Sequence, residues 1–296
     1  MGNLIIMCGV SASGKSTYAF NRVENESDKY IIVSRDKIRE LLFGYTEKYV
    51  SNYYDRKDIY KLEKIVTKYE DVLINEGLLE GKTVIMDSTH LERKYIERYK
   101  YWNVPTEIVF LDVEFNTALM RNNYRDRQVG ELVIRKQLER YERLKKNLKD
   151  FPIDFTPIEY VNMNDKPGCV ILDIDGTISE PCDRNIYDAS KAINDTLNVH
   201  IYNAIKDVEN LIICTGRSSE FDAVSKAWLN RHGIEYVKFY SRKAGDNRPD
   251  WQVKEEMWND IVQDYHIEMM YEDRNSVVRR ARSLGLNVAQ VKYGNY

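Results

Sequence analysis

The stretch Gly9-Val10-Ser11-Ala12-Ser13-Gly14-Lys15-Ser16 decides the fold of the first half of this chain. It fits the pattern GxxxxGK(S/T), and it stands between the apolar run Leu4–Cys8 and a helical pattern. In such a unit, backbone N–H groups of the loop and of the helix start surround phosphate groups. Lys15 is expected to neutralise β- and γ-phosphate oxygens, and the Ser16 hydroxyl to ligate Mg²⁺. The sequence therefore predicts an ATP-type site made by Gly9, Ser13, Gly14, Lys15, Ser16 and Thr17.

Beyond this loop, short apolar runs alternate with longer helical patterns in both halves, which predicts an α/β fold with parallel sheets. The strands predicted first are Leu4–Cys8, Tyr30–Val33, Thr83–Met86 and Glu107–Val113, with a long helix from Ile59 to Leu79. After a proline-containing break between 151 and 168, the strands predicted are Cys169–Ile174, Leu211–Cys214, Tyr236–Phe239, Glu268–Tyr271 and Val288–Val291. The break predicts two domains, residues 1–160 and 161–296.

Composition excludes several classes of protein. A length of 296 residues suits two domains, and 43% hydrophobic with 31% charged residues excludes a disordered chain. The net charge of −3 means that any nucleic-acid contact must come from a local basic patch. No apolar run is long enough for a membrane span, and the N-terminus lacks the basic region of a signal peptide. The four cysteines form no close pair, so we expect reduced thiols in a cytoplasmic protein.

Two polar groups are candidates for the acceptor side of the triphosphate site. Asp36 and Arg39 follow the second predicted strand and lie one helical turn apart. An Asp there could deprotonate an acceptor hydroxyl and an Arg could clamp an anionic group, although such a pair is more often a helix cap with a surface ion pair. Asp87 ends the third strand, and on general grounds it is the carboxylate that holds Mg²⁺.

A cluster of arginines, Arg121, Arg125 and Arg127, precedes Gly130 between two helical patterns. This arrangement suits a lid that brings an arginine to the transferred phosphoryl group. A solvated basic turn has the same pattern, so the cluster is informative only beside the phosphate loop.

The second half opens with Val170-Ile171-Leu172-Asp173-Ile174-Asp175-Gly176-Thr177, which places two carboxylates at the end of a predicted buried strand. Like charges so close repel, and a bound cation would relieve the repulsion. Phosphoryl transfer to a carboxylate needs this arrangement: Asp173 would attack phosphorus, and Asp175 would protonate the leaving alkoxide. Thr215-Gly216-Arg217, Lys254 and Glu272-Asp273 follow in order as candidates for phosphate and Mg²⁺ contacts. The set is similar to that of haloacid-dehalogenase-type phosphatases.

The whole chain resembles the bacteriophage 5′-polynucleotide kinase/3′-phosphatase family. The resemblance rests on the two motif sets, on Ser34–Arg39, on Met86-Asp87-Ser88-Thr89 and on the run from Ile174 to Asp188. It implies an N-terminal P-loop kinase domain with a parallel sheet, then a haloacid-dehalogenase-like Rossmannoid phosphatase domain. It also implies ATP as phosphate donor and Mg²⁺ at both sites.

Residue roles carried over by the resemblance extend the candidate sites. Asp36 would activate the 5′-hydroxyl, Arg39 would hold the 3′-phosphate of the terminal nucleotide, and Arg125 would stabilise the transition state. Asp87 would support the acceptor at the nucleic-acid end, which conflicts with its Mg²⁺ interpretation, and the acceptor role is preferred because the flanking motif matches the family. In the phosphatase half, the implied phosphate or substrate contacts are Arg184, Thr215, Gly216, Arg217, Asp250 and Lys254. The implied metal ligands are Ser16, Asp173, Asp175 and Asp273. The family's paired aspartates appear here as Glu272-Asp273, so Asp273 is preferred over Glu272.

The expected activity is healing of RNA or DNA ends: phosphorylation of 5′-OH ends and removal of 3′-phosphates before ligation. By likeness, we expect RNA or tRNA repair with a ligase, a homotetramer, no membrane association and a location in the cytoplasm of a host cell. Two alternatives stay open. A small-molecule kinase could be fused to a phosphatase of nucleotides or sugars, or the chain could be an end-binding scaffold with decayed sites.

Overall fold

The computed structural model describes residues 2–24, 26–44, 53–54, 56–125, 128–160 and 165–294. The chain divides into two compact units, Met1–Pro157 and Ile158–Tyr296, called here the N-terminal and the C-terminal unit. The division falls inside the proline-containing break. Within the described residues, no helix is long and apolar enough to cross a membrane.

The N-terminal unit is a four-stranded parallel sheet with helices between its strands. Its elements are β1 (Leu4–Cys8), α1 (Lys15–Val23), β2 (Tyr30–Val33), α2 (Arg35–Phe43), α3 (Ile59–Leu79), β3 (Thr83–Met86), α4 (Arg93–Glu97), β4 (Thr106–Phe110), α5 (Phe115–Asn123) and α6 (Glu131–Asp150). The strand order is β2-β3-β1-β4. The first three strands and α3 confirm the predicted bounds. The fourth ends at Phe110 rather than Val113, because its partner β1 ends at Cys8, which pairs with Phe110.

Residues of β1 and α3 show why the sheet is buried on both faces. All five residues of β1 are buried, with Leu4 and Ile6 packed on one side and Ile5 and Met7 on the other. Such continuous apolar runs are typical of parallel strands covered by helices. Gly77 of α3 lies against the sheet so closely that a Cβ would meet Ile31 Cγ2 at 2.7 Å. The glycine therefore sets the depth at which α3 packs.

The C-terminal unit is a five-stranded parallel sheet in the order β11-β10-β5-β8-β9, with a short antiparallel pair, β6-β7, beside it. Its elements are β5 (Gly168–Leu172), β6 (Ser179–Glu180), β7 (Thr196–Leu197), α7 (Val199–Ile205), β8 (Leu211–Ser218), α8 (Asp222–Arg231), β9 (Lys238–Arg242), α9 (Asp250–Asp264), β10 (His266–Arg274), α10 (Asn275–Ser283) and β11 (Val288–Gly294). Separate apolar clusters cover the two faces of the sheet.

The strand bounds of this unit differ from the prediction, and β8, β10 and β11 extend beyond their predicted ends to Ser218, Arg274 and Gly294. The strand β5 ends at Leu172, so Asp173 and Asp175 lie in the segment after the strand. The carboxylates therefore do not project side by side from one strand, as the predicted run to Ile174 implied. The strand β9 begins at Lys238 rather than Tyr236, where Ile212 of β8 becomes its first ladder partner. Cys8, Cys169 and Cys214 lie in buried strand positions, as predicted, and all four cysteines are free.

His90, in the segment after β3, is a buried histidine with both ring nitrogens hydrogen-bonded. Its Nδ1 lies 2.9 Å from the Met7 carbonyl oxygen and its Nε2 lies 3.0 Å from the Tyr99 hydroxyl. The carbonyl can only accept, so Nδ1 carries the proton and neutral Nε2 accepts from Tyr99. Burial lowers the pKa of His90 from 6.5 to about 4. The folded N-terminal unit therefore holds the neutral imidazole.

The pKa of His90 predicts a pH-dependent part of stability. A folded pKa below the unfolded value gives stability that is complete above about pH 6.5 and is lost as the pH falls toward 4. Between pH 7 and pH 5 the wild type should lose about 2 kcal/mol through this group. We expect the difference in free energy of unfolding between wild type and His90→Gln to narrow by that amount. Urea unfolding of the N-terminal unit at both pH values measures it, and a difference that does not change with pH would contradict the assignment.

Candidate active sites

The phosphate loop lies between β1 and α1 and already has the shape of an anion site. Gly14 takes φ 98° where α1 begins, and a Cβ at Gly9 would meet Ser13 Oγ at 2.5 Å. Lys15 Nζ donates to the carbonyls of Gly9 at 2.9 Å and Val10 at 2.6 Å. Burial lowers the pKa of Lys15 to about 8, partly offset by the charge of Asp87. Among the residues that the structure describes, the buried Ser13 Oγ has no hydrogen-bond partner. A buried ammonium and an unsatisfied hydroxyl fit the phosphates of ATP.

Asp87, which follows β3, lies beside the predicted Mg²⁺ ligand Ser16. The Ser16 hydroxyl donates to Asp87 Oδ2 at 2.8 Å. Burial raises the pKa of Asp87, while the Ser16 hydrogen bond and the Lys15 charge act against it. This contact is the geometry that the Mg²⁺ interpretation of Asp87 requires.

One cleft of the N-terminal unit brings the predicted kinase residues together. It is lined by Gly14, Lys15, Ser16, Thr17, Asp36, Arg39, Asp87, Arg121 and Arg125. Arg127, the third arginine of the predicted cluster, lies outside the described residues. The carboxyl edge of a parallel sheet is where α/β folds bind ligands, and the cleft opens there.

Arg39 has a partner that the sequence did not reveal. Its Nε and one terminal nitrogen donate to the two carboxylate oxygens of Glu63, each at 2.9 Å, and its other terminal nitrogen donates to Asp36 at 2.7 Å. Burial opposes ionisation of Glu63, but hydrogen bonds from Arg39 and Arg35 lower its pKa to about 2. The guanidinium is therefore oriented toward Asp36 before any acceptor binds.

Glu70 is a second missed residue, fully buried on α3. It accepts from Arg35 at 2.6 Å and from Arg98 at 2.9 Å. The signal was present in the sequence, because Glu70 stands at helical spacing with the buried Val66 and Ile74. A carboxylate in an apolar stripe needs charged partners, which marks the position as part of a site or a network.

In the C-terminal unit, three carboxylates meet around one lysine. Lys254 Nζ donates to Asp173 and to Glu272, both at 2.6 Å. Asp173, Glu272 and Asp273 each offer an oxygen, all within 4.8 Å of one another, and all three residues are buried. Burial raises the pKa of Asp173 to about 7, although Lys254 acts to lower it. One ammonium leaves this group with excess negative charge, so a divalent cation such as Mg²⁺ fits it.

Asp175 does not join that group through its carboxylate. Its oxygens accept from Arg217 at 2.8 and 2.7 Å and also from Arg184. The structure therefore places Glu272 among the candidate metal ligands, where the sequence preferred Asp273 alone, and gives the Asp175 side chain arginine partners instead.

The remaining predicted phosphatase residues surround the same edge of the sheet. The Thr215 hydroxyl accepts from the Arg217 backbone N–H at 3.2 Å. Gly216 allows Asp250 to approach, since a Cβ would meet Asp250 Oδ1 at 2.5 Å. Asp250, in the first turn of α9, accepts from Arg242 at 2.8 Å, a contact that no motif predicted.

Asp195 is the residue on which both site arginines depend. Its side chain is fully buried and accepts from Arg184 at 2.9 and 2.6 Å, from Arg217 at 3.2 Å and from the Ser179 hydroxyl at 2.9 Å. No local pattern marks it, because its partners lie on distant segments of the chain. Removing it would leave two buried arginines with one shared carboxylate, Asp175.

Replacement of Asp195 by Asn should therefore damage phosphate-ester hydrolysis by the C-terminal unit. The amide keeps the size but loses the charge that orients Arg184 and Arg217. We expect the rate for the 3′-phosphate substrate that the sequence predicts to fall by ~100-fold, with nucleotide binding at the predicted phosphate loop unchanged. Initial rates and nucleotide titrations on the same preparation measure both. A variant that hydrolyses the ester at the wild-type rate would remove Asp195 from this role.

Comparisons with known proteins agree with the two sites. Residues 4–144 match the family model described as AAA domain, and residues 167–296 match the one described as polynucleotide kinase PNKP phosphatase domain. A protein of Autographa californica nuclear polyhedrosis virus, named "Putative bifunctional polynucleotide kinase/RNA ligase", is 26% identical over 299 residues. The alignment covers 95% of this chain and 41% of the viral protein, so the chain spans about two fifths of that relative.

Two solved structures are also similar. A chain of the Pnkp1/Rnl/Hen1 RNA repair complex is 26% identical, with 100% of this chain and 97% of that chain covered and a TM-score of 0.47. A deoxyadenosine kinase from M. mycoides is 22% identical, with 51% of this chain and 90% of that chain covered and a TM-score of 0.32.

Proposed function

We propose that the chain, whose residues 4–144 match the model described as AAA domain and whose residues 167–296 match the one described as polynucleotide kinase PNKP phosphatase domain, heals nucleic-acid ends. It transfers the γ-phosphate of ATP to 5′-OH ends of RNA or DNA, and it hydrolyses 3′-phosphate ends. The observation that carries the proposal is the presence, in one chain, of a phosphate loop facing Asp36 and of a buried Asp173 held by Lys254. Residues 1–160 are assigned to the kinase and 161–296 to the phosphatase.

In the proposed kinase reaction, Asp36 takes the proton of the 5′-hydroxyl. The hydroxyl oxygen bonds to the γ-phosphorus, and the bond from that phosphorus to ADP breaks. Asp36 is half-exposed at the cleft and is oriented by Arg39. Lys15 and Arg125 neutralise the phosphoryl oxygens, and Ser16 with Asp87 would hold Mg²⁺, which would supply further positive charge to the phosphates. Arg39, backed by Glu63, holds an anionic group of the acceptor, the role that a bidentate arginine serves.

In the proposed phosphatase reaction, Asp173 attacks phosphorus and forms an aspartyl-phosphate, while Asp175 gives a proton to the departing 3′-oxygen. Water then attacks the phosphorus of the aspartyl-phosphate, the bond from phosphorus to Asp173 breaks, and phosphate leaves. The proton of the water goes to Asp175, so both carboxyl groups return to their starting states. Lys254, Thr215 and Arg217 contact or surround the phosphoryl oxygens. Asp173, Glu272 and Asp273 would hold Mg²⁺, which would supply positive charge to the incoming phosphate.

The products of both reactions, a 5′-phosphate and a 3′-OH, are the ends that a ligase joins. A relative whose name combines polynucleotide kinase with RNA ligase supports RNA repair as the setting and an RNA ligase as the functional partner. A homotetramer in the cytoplasm stays part of the proposal through the family resemblance.

One oligoribonucleotide with a 5′-OH and a 3′-phosphate tests the proposal. We expect wild type with Mg²⁺ and labelled ATP to add the 5′ label and to remove the 3′-phosphate, the latter without ATP. Asp36→Ala should abolish labelling and spare phosphate removal, and Asp173→Asn should do the reverse, so each variant is the matched control of the other. Mass spectrometry of both ends reads the result.

Two outcomes would overturn parts of the proposal. Labelling of a free nucleoside but not of the oligonucleotide would replace it with a small-molecule kinase fused to a phosphatase. Wild-type labelling by Asp36→Ala, or phosphate removal by Asp173→Asn, would show that the assigned base or nucleophile is wrong.

A further inference from the structure

Gln137 of α6 contacts the phosphate loop from the opposite side of the cleft. Its Oε1 accepts from the Ser11 backbone N–H at 2.8 Å, across 126 residues of sequence. Ser11 belongs to the run of loop residues whose N–H groups surround phosphates in such motifs. One of those donors is therefore satisfied by a protein side chain.

Gln137 lies on the face of α6 that carries residues of the apolar core. It stands between Ile134 and Tyr141, at the spacing of residues that share one helix face, and both of these pack in the core. The core therefore holds α6, and with it the Gln137 amide, at a fixed distance from the loop.

The loop needs such support next to Ser11. Ala12 adopts φ 61°, a left-handed conformation that is strained for a non-glycine residue and persists only where neighbouring contacts enforce it. The hydrogen bond from Gln137 to the adjacent residue is such a contact.

The amide nitrogen of Gln137, Nε2, is a hydrogen-bond donor. An N–H can only donate, so the Gln137 oxygen faces Ser11 and Nε2 points elsewhere. Within the described part of the chain, Nε2 has no hydrogen-bond partner. Gln137 lines the same cleft as Lys15 and Arg125, the groups assigned to the terminal phosphates.

We propose that Gln137 is a nucleotide-specificity residue: its carbonyl holds the phosphate loop and its Nε2 donates to the γ-phosphate, so it separates nucleoside triphosphates from diphosphates. This inference rests on the ATP site of the proposed function and adds a residue to it.

The decisive variant is Gln137→Glu, assayed by calorimetric titration of the full chain with ATP and with ADP, both with Mg²⁺. The carboxylate can still accept from the Ser11 N–H but has lost the donor and carries a negative charge. We expect the Kd for ATP to rise ~10-fold or more, because a hydrogen bond to a charged group is lost, and the Kd for ADP to change less than ~3-fold. The control variant Gln137→Leu loses both the acceptor for the Ser11 N–H and the Nε2 donor. Its Kd for ATP should also rise more than its Kd for ADP, but by a smaller ratio than in Gln137→Glu.

Equal loss of ATP and ADP binding in Gln137→Glu would mean that Gln137 only supports the loop, and it would overturn the inference, as would unchanged binding of both. The melting temperature of the N-terminal unit shows whether each variant is folded. Because nucleotide binding is measured without an acceptor, a wild type that binds ATP but labels no 5′-OH end would overturn the proposed function and leave this inference standing.

Discussion

Burial of charge at the carboxyl edge of a parallel sheet is the constraint on which the C-terminal unit depends. A buried carboxylate costs several kcal/mol unless a cation and hydrogen bonds compensate it. Asp195 meets this requirement through Arg184 and Arg217, and those arginines in turn bind Asp175. Lys254 does the same for Asp173 and Glu272. The two groups differ in balance: around Asp195 the charges compensate one another, whereas around Asp173 an excess of negative charge is left for a cation. The same need to compensate buried charge therefore produces two different clusters, a balanced one around Asp195 and a negatively charged one around Asp173.

In the N-terminal unit, buried carboxylates beside an open cleft are likewise compensated by arginines. Glu70 is buried completely and compensated by Arg35 and Arg98, and Glu63 orients Arg39 from behind. These pairs lie under the acceptor side, so the cations there are already oriented by protein carboxylates. The phosphate side is different, because in the described part of the chain the hydrogen-bond partners of Lys15 are backbone carbonyls alone. A buried ammonium held by carbonyls retains its full charge for an incoming polyanion, and the loop around it supplies N–H groups of the same polarity. The cleft is therefore charge-balanced around Arg39 and Glu63, whereas the Lys15 ammonium at the phosphate loop is available to an anion.

Much of the fold followed from local patterns. The apolar runs Leu4–Cys8, Tyr30–Val33 and Thr83–Met86, and the helix from Ile59 to Leu79, form with the predicted bounds because a polar residue or a glycine stands on each side of every run. The errors are at strand ends. The fourth strand stops at Phe110 because its neighbour stops, and β5 stops at Leu172 although the apolar alternation continues to Ile174. Strand length is set by pairing with a neighbour, and a single segment carries no information about where its partner ends.

The sequence by itself determined the two phosphate-handling motifs and the edges of the sheets where they lie, because loop, strand and helix residues adjacent in the chain build them. Only the tertiary structure decided what surrounds them. Glu63, Asp195, Arg242 and Gln137 act through partners that lie on other elements, so no spacing rule identifies them. The structure also decided that Asp87 meets Ser16 and that the Asp175 carboxylate faces arginines. Hydrogen bonds and ion pairs between distant segments depend on how the elements pack, and packing is a property of the whole fold rather than of any motif.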